Sequence, residues 1–459
     1  MRHELPDKIH FIGMGGAGMS GLATVLLALG HRVSGSDLKP SASTRRLEKL
    51  GAVCYTDHSA DYLGKAGLVV VSTAIPPTNP ELIAARRREI PVMHRGQLLA
   101  ALMRDRKGIA VAGAHGKTTT TSMVALVLEK NDLDPTILIG GELTDIGGNA
   151  KLGRGEYLVA EADESDGSFL KLDPMVTVVT NIEDDHLDHY GTVENIIAAF
   201  REFLGKLPAS GLAVLCGDDP VVQSIRQVCA GEVVTYGLMS TDADYTARNL
   251  NFDRFGSSAD IYCRGELLGQ LKLPVPGRHN ILNAMAAVAV GRWLNLPFKN
   301  IAGALACFQG AGRRFELLGE ERGVRVVDDY AHHPSEIMAT LEAARQVAGG
   351  RVIAVFQPHR YTRTALLKDR FGRAFSQAEV IIINDIYSAG EKPIDGITAR
   401  VLVKAVEDYE NRPVLYLPTR EDIVDYLASN AVPGDLVLVM GAGDIRQAGA
   451  ELVKKLKGS

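Results

Sequence analysis

Gly113-Ala114-His115-Gly116-Lys117-Thr118-Thr119 brings together the residue types that grip a phosphate. Glycine lets a backbone come close to an anion or take positive φ. Successive N–H groups at a helix start can then curl around phosphate oxygens in the helix's partial positive field. In such a loop Lys117 reaches the β- and γ-phosphates of ATP, and the Thr118 hydroxyl ligates Mg²⁺. Position 111, glycine in the longer Walker pattern, is Val111 here, so the spacing is the short Gly-x-x-Gly-Lys-Thr. A glycine turn that merely caps a helix is the plainer reading, but it leaves the lysine and the threonine run unexplained.

A second glycine cluster, Gly13-Met14-Gly15-Gly16-Ala17-Gly18, follows an apolar run, and Asp37 closes the next one. Gly-x-Gly-x-x-Gly with a later acid is a dinucleotide signature. Its physics specifies a diphosphate and a ribose, which NAD and a UDP-linked ligand present equally. Two acidic clusters, Glu161-Ala162-Asp163-Glu164-Ser165-Asp166 and Asn181-Ile182-Glu183-Asp184-Asp185-His186-Leu187-Asp188, each follow an expected strand. Hard carboxylate oxygens there suit Mg²⁺, and one imidazole is tolerable in a mixed site. Most of these acids, taken singly, read as solvated turn residues. Two later clusters, Asp328–Pro334 and Gln357–Arg363, also end expected strands, where open α/β sheets bind ligands. Arginine forks fit carboxylates and phosphates. His332-His333 lacks further ligands at zinc spacing. Arg313-Arg314 reads equally as a nucleotide contact or a surface pair.

Short apolar runs alternating with helix-period segments must position these groups, which is the pattern of α/β layers around largely parallel sheets. Strands are expected at Lys8–Ile12, His31–Ser34, Leu68–Val71, Ile109–Ala112, Tyr157–Ala160 and Val176–Thr180. Later ones fall at Val324–Val327, Val352–Phe356, Val380–Ile383 and Leu436–Met440. Helices are expected at Thr119–Lys130 and Asn280–Trp293. The basic stretch Arg104–Lys107 ends a first domain and Gly310–Gly312 opens a third, giving 1–107, 108–309 and 310–459. A chain of 459 residues suits such a division. With 46% hydrophobic and 23% charged residues and a net charge of -5, it reads as a soluble protein and not a nucleic-acid binder. Five scattered cysteines without a Cys-x-x-Cys pair fit a reducing cytoplasm. Met1–His10 carries charges and a proline where a signal peptide is apolar, and no run is long enough to span a membrane.

In order along nearly the whole chain, these motifs resemble the Mur ligase family, within it the enzymes that join L-alanine to UDP-N-acetylmuramate. The resemblance rests on Gly13–Gly21, Ser34–Asp37, Gly113–Thr119, Glu161–Asp166, Thr180–His186 and Gly277–Asn283. It continues through Arg313–Glu316, Asp328–Pro334, Gln357–Arg363 and Ala389–Pro393. It implies a Rossmann-like domain for the UDP-sugar, a central P-loop ATPase-like domain and a C-terminal Rossmann-like domain that closes over ATP and amino acid. It also implies a cytoplasmic, monomeric or dimeric enzyme of peptidoglycan synthesis working through an acyl phosphate. Gly113, Ala114, His115, Gly116, Lys117, Thr118 and Thr119 then hold ATP, with His279 and Asn283 at the adenine and Arg314 and Asp329 supporting the nucleotide. Thr118, Glu161 and His186 become the Mg²⁺ ligands. Lys117, His332, Arg360 and Arg363 take catalytic roles, with Tyr330 and His359 at the alanine and muramoyl end. Gly15, Gly18, Ser36, Asp37, Ser72, Thr73 and Ala74 line the UDP-sugar site.

Three rivals are weaker. An NAD-dependent oxidoreductase leaves the Gly113 loop and both acidic clusters idle. A recycling ligase that adds a preformed peptide to the same UDP-sugar shares most motifs but differs in its first glycine loop. A nucleotide sensor without catalysis has no use for Lys117, Thr118 and the acids together.

Overall fold

The computed structural model describes residues 5–143, 146–254 and 256–458, the side chain of Asp188 apart, so the first four residues of the Met1–His10 stretch fall outside it. The chain forms two compact units. One runs to Arg248 and adds Asp260–Leu271 and Leu282–Phe308; the other holds Asn249–Ala259, Lys272–Ile281 and the chain from Gln309 onward. Three sheets carry the architecture. Among the described residues no helix is long and apolar enough to cross a membrane.

The first sheet has five parallel strands in the order Val53–Tyr55, Arg32–Ser36, Lys8–Ile12, Leu68–Val71, Val92–His94. Ile9, Phe11, Val69 and Val70 are buried, as continuous apolar runs in a doubly covered parallel sheet should be. The chain order reverses at Lys8–Ile12, the switch point where such sheets open a ligand crevice. Gly13 turns there at φ +79 into the helix Ala17–Ala28. Gly13 N and Met14 N donate to Ser36 O at 2.8 and 3.0 Å.

Below that turn lies a buried polar knot. The Glu81 carboxylate, with no exposed side-chain surface, accepts from His10 Nε2 at 2.7 Å, Ser36 Oγ at 2.9 Å and the Ser59 backbone N–H at 3.2 Å. His58 Nδ1 lies 3.1 Å from its other oxygen, and His10 Nδ1 lies 2.9 Å from Ser34 Oγ. Buried polar groups are tolerable only when mutually satisfied in this way. Pro80 at the first helical turn and the Asn79 cap, which takes the Glu81 and Leu82 N–H groups, start the helix Pro80–Arg87 that delivers this acid.

The second sheet contains Glu232–Gly237, Leu212–Cys216, Val176–Val179, Lys107–Ala112, Tyr157–Glu161, Thr136–Leu143 and Gly148–Lys151, in that order. Only the final pair, Thr136–Leu143 with Gly148–Lys151, is antiparallel within this run. Three further strands, Tyr245–Asp253, Gly256–Cys263 and Glu266–Leu273, extend the other side. The expected helix Thr119–Lys130 begins earlier, at Lys117, because Gly116 at φ +80 completes the turn as its cap. The strand expected to stop at Ala160 includes Glu161, and that expected to reach Thr180 stops at Val179. The second strand runs Arg32–Ser36, and the later helix starts at Arg278.

The third sheet, in the second unit, orders Glu316–Glu321, Val324–Asp329, Leu436–Met440, Val352–Phe356, Val380–Ile383 and Leu415–Tyr416. All pairings are parallel except that of the first two strands. Separate apolar clusters fill its faces, one around Phe356, Phe371 and Phe375 and the other around Val355, Val439 and Leu452.

Removing the Glu81 carboxylate should strand several buried partners at once. Glu81→Ala is expected to cost about 3 kcal/mol or more in urea unfolding. A loss below about 0.5 kcal/mol, typical of surface sites, would show the knot to be dispensable.

Candidate active site

Lys107–Ala112 lies between Val176–Val179 and Tyr157–Glu161, all parallel, so the segments after their carboxyl ends emerge side by side. Those segments are the Gly113 loop, the Glu161 cluster and the Thr180–His186 cluster. Gly113 sits at φ +137, and a side chain there would overlap Thr180 Oγ1. The loop is clamped from the neighbouring segment. Asn181 accepts from His115 N at 2.9 Å through Oδ1, returns Nδ2 to His115 O at 3.0 Å, and accepts from Ala114 N through its backbone at 3.1 Å. Thr180 Oγ1 adds a 2.6 Å bond to His115 O. At Gly116 a Cβ would come within 2.8 Å of Asn283 Oδ1, so the small residue also admits Asn283 against the loop.

Lys117 leaves this loop with every ammonium proton engaged: Gly113 O at 2.5 Å, Ala114 O at 3.0 Å and Glu164 Oε1 at 2.8 Å. Burial works against its charge, but the carboxylates of Glu164 and then Glu161 hold its pKa above the ordinary lysine value. Thr118 Oγ1 donates to Glu161 Oε2 at 3.0 Å, and the Gly140 N–H reaches the same oxygen at 2.9 Å. Burial raises the Glu161 carboxyl, and Lys117, Gly140 and Thr118 only partly offset it. Hydroxyl and carboxylate oxygens converging where a carboxylate's charge is under-compensated are a fitting donor set for a hard cation. His186, left-handed at φ 60, places Nε2 3.5 Å from Glu164 Oε1. Thr119 is buried in the first turn of the same helix.

On the first sheet, Gly15 N donates to Asp37 Oδ2 at 2.9 Å, and a Cβ at Gly15 would lie 2.8 Å from that oxygen. Gly18 faces Arg95, whose Nη1 a Cβ would approach to 3.5 Å. Ser72, Thr73 and Ala74 follow the strand Leu68–Val71, with Thr73 and Ala74 exposed. The Ser36 hydroxyl is different: it is fully buried and bound to Glu81, so it braces the glycine turn from below and does not face the crevice. A cavity of about 250 Å³ runs from Ala17 and Gly18 past Arg95, Leu138 and Phe169 to Gly140 and Glu161. It joins the two glycine-bearing regions.

Arg95 spans that junction. Its Nη2 donates to Asp163 Oδ2 at 2.6 Å and Asp166 Oδ2 at 2.9 Å, gripping the acidic segment on both sides of Glu164. Burial alone would raise the Asp163 carboxyl, but Arg95, Ser165 and Lys117 bring it down to about 2.

In the second unit, Tyr330, His332 and His359 form a line of rings with centroids 5.4 and 6.0 Å apart, and His359 stacks on Tyr387 at 5.7 Å. Arg363 Nη1 lies 3.4 Å from His359 Nδ1, and Arg360 caps the helix Tyr361–Gly372 at φ 70. Burial, then Arg363 and Arg360, push the His359 ring down to about 4, so it is neutral near pH 7. Arg314 lies over the Tyr330 ring at 5.4 Å and pairs with Glu336 at 3.3 Å. Burial raises the Asp329 carboxyl to about 6 despite Arg314. Asp329 accepts from Phe315 N at 2.8 Å and Ala331 N at 2.7 Å, so it ties the turn after Tyr330 to the segment that carries Arg313 and Arg314. His279 is driven down to about 4 by burial and Arg314, and shares the helix Arg278–Trp293 with Asn283 one turn later.

The reading of the motifs passed over Arg95 and Asn181 and gave Glu164 no task. Asn181 and Glu164 stand inside the clusters that follow strands, whereas Arg95 carries no motif signal in the sequence. The depressed Asp163 pKa has a testable consequence. Its stabilising contribution is complete above the ordinary value of 3.8 and is lost as pH falls toward about 2. Arg95→Ala should therefore shift the acid-unfolding midpoint upward, toward pH 4. An unchanged midpoint, followed by circular dichroism, would deny Arg95 that role.

The chain fits the Mur ligase family catalytic domain over residues 8–107, the Mur ligase middle domain over 111–291 and the Mur ligase glutamate ligase domain over 313–443. It is 66% identical to a UDP-N-acetylmuramate–L-alanine ligase of Pelotomaculum thermopropionicum, covering 98% of this chain and 97% of the relative. To the same-named protein of Desulforamulus reducens it is 57% identical, covering 98% of each. The crystal structure of a UDP-N-acetylmuramate–alanine ligase from Thermotoga maritima superposes with a TM-score of 0.85 at 29% identity, covering 98% of this chain and 99% of that one. A murein peptide ligase from Psychrobacter arcticus gives 0.72 at 25% identity, covering 98% and 99%. With three α/β modules matched in order and relatives this close over the full length, the chain belongs to the Mur ligase family.

Proposed function

We propose that this chain joins L-alanine to the carboxylate of UDP-N-acetylmuramate in an ATP-driven step of peptidoglycan synthesis in the cytoplasm. The observation that carries the reading is the convergence of Lys117, Thr118 and Glu161 at one sheet edge, in a chain 66% identical to a protein of that name. Residues 1–107 bind the UDP-sugar, 108–309 bind ATP, and 310–459 serve ATP and the amino acid.

A carboxylate does not react with an amine at neutral pH, so it must first be activated. The γ-phosphoryl group passes to the lactyl carboxylate, and Lys117 stabilises the charge spread over the moving group. Thr118, Glu161 and His186 would hold Mg²⁺, which, when bound, polarises phosphate oxygens. The alanine amine then attacks the acyl carbon, and the tetrahedral intermediate expels phosphate. Tyr330, His332, His359, Arg360 and Arg363 orient the alanine and muramoyl end, where His359 presents an uncharged ring near pH 7. His279, neutral for the same reason of burial, and Asn283 receive the adenine, supported by Arg314 and Asp329. Gly15, Gly18, Asp37, Ser72, Thr73 and Ala74 line the UDP-sugar crevice, with Ser36 bracing it.

Phosphate release from ATP with UDP-N-acetylmuramate tests the reading, with alanine, glycine, serine and the L-Ala–γ-D-Glu–diamino acid tripeptide supplied in turn. Alanine should support the fastest release; release with no amino acid at all would overturn the assignment, and preference for the tripeptide would favour a peptide ligase. Lys117→Ala should lower turnover by roughly 10²-fold or more while UDP-sugar binding persists.

A further inference from the structure

Lys117 offers three N–H groups, and its own loop plus Glu164 use them all. A phosphate oxygen cannot bond this ammonium without displacing one acceptor. Two of the three are backbone carbonyls of Gly113 and Ala114, held in place by the Asn181 clamp on the loop. The third is a side chain, whose carboxylate is an anionic acceptor as a phosphate oxygen is and is no part of the loop's backbone. We propose that Glu164 is a placeholder for the terminal phosphates of the nucleotide: it holds Lys117 between turnovers and releases it when phosphate arrives.

Three observations support the exchange. Glu164 is 3% exposed, yet its Oε2 is buried without a hydrogen-bond partner, so the carboxylate is committed to Lys117 through one oxygen only. His186 Nε2 lies 3.5 Å from the same Oε1, so Lys117 at 2.8 Å is the nearer of the two partners. The backbone under Glu164 is fixed: its carbonyl accepts from Tyr190 OH at 2.6 Å and Gly167 N at 3.0 Å, while Arg95 grips Asp163 and Asp166 on either side. Only the carboxylate can answer an incoming anion. An ammonium largely withdrawn from water is costly without a counter-charge, so the placeholder balances Lys117 and keeps it aimed between turnovers. In return it competes with the nucleotide. Glu164 is thus a positioning residue acting through Lys117, and the inference rests on Lys117 being the phosphate ligand.

The test is nucleotide binding to the full chain and its Glu164→Gln variant, by calorimetry with ATP, ADP and AMP. With the competitor removed, ATP should bind about fivefold or more tightly, while AMP affinity stays unchanged because AMP lacks the terminal phosphates. The KM for ATP should fall with it, and nucleotide should raise Tm more in the variant than in the wild type. Equal or weaker ATP binding overturns the proposal. Weaker binding that high Mg²⁺ restores does so too, by making Glu164 a metal ligand. Should Glu164→Gln fail to fold, Glu164→Asp, with the carboxylate drawn back by one methylene, should show the same ATP-over-AMP gain in smaller measure; no gain overturns the proposal. Lys117→Ala separates the two levels: if it binds ATP as tightly as the wild type, the phosphate-loop reading itself has failed.

Discussion

A buried ammonium must be surrounded by acceptors, and much of this molecule can be understood as the means of surrounding Lys117. Its loop carbonyls turn inward because Gly113 takes a conformation closed to other residues and because Asn181 and Thr180 pin His115 from the next strand. The carboxylates that sustain its charge come from the strand on the other side. Such an arrangement needs three parallel strands in the spatial order found here, with their carboxyl ends level. A purely local fold could not supply it. The helix beginning at Lys117 then fixes the direction in which the side chain leaves the loop.

The first sheet solves a related problem by a different route. A glycine turn has no side chains with which to anchor itself, so its N–H groups hang from Ser36 O, and Ser36 in turn is held by the Glu81 knot. Two loops of similar composition are thereby stiffened by opposite means: one by a neighbouring amide above the sheet edge, the other by a buried acid beneath it. Arg95 ties the regions together, reaching from the helix after Val92–His94 to the acidic segment beside Lys117. This places the cavity between them in contact with both.

Much of this was legible in the residues. Apolar runs such as Val352–Phe356 and Leu436–Met440 announce buried parallel strands, and their observed bounds agree. The glycine-rich turns and the acids after strands marked the sheet edges that matter. What escaped notice depends on long-range contact. Glu81, just after Pro80, looks like an ordinary first-turn acid of a surface helix; it is buried because His10, Ser36 and His58 converge on it from distant segments. Arg95 finds its partners 68 and 71 residues away. The strands between Tyr245 and Leu273 alternate buried with half-exposed or exposed positions and carry many polar residues, so no continuous apolar run announced them.

The order of the strands also bears on how a ribosome delivers this protein. The first sheet is built entirely from residues 8 to 94, so all of its strands can be present while the rest is still being made. The phosphate grip cannot. Lys107–Ala112 is flanked by strands that end at Glu161 and Val179, and the Asn181 clamp comes later still. A nascent chain therefore carries every strand of the first sheet long before it has the pieces that shape the Gly113 loop. A ribosome stalled before residue 181 would leave every strand of the first sheet made and the Gly113 loop without its Asn181 clamp.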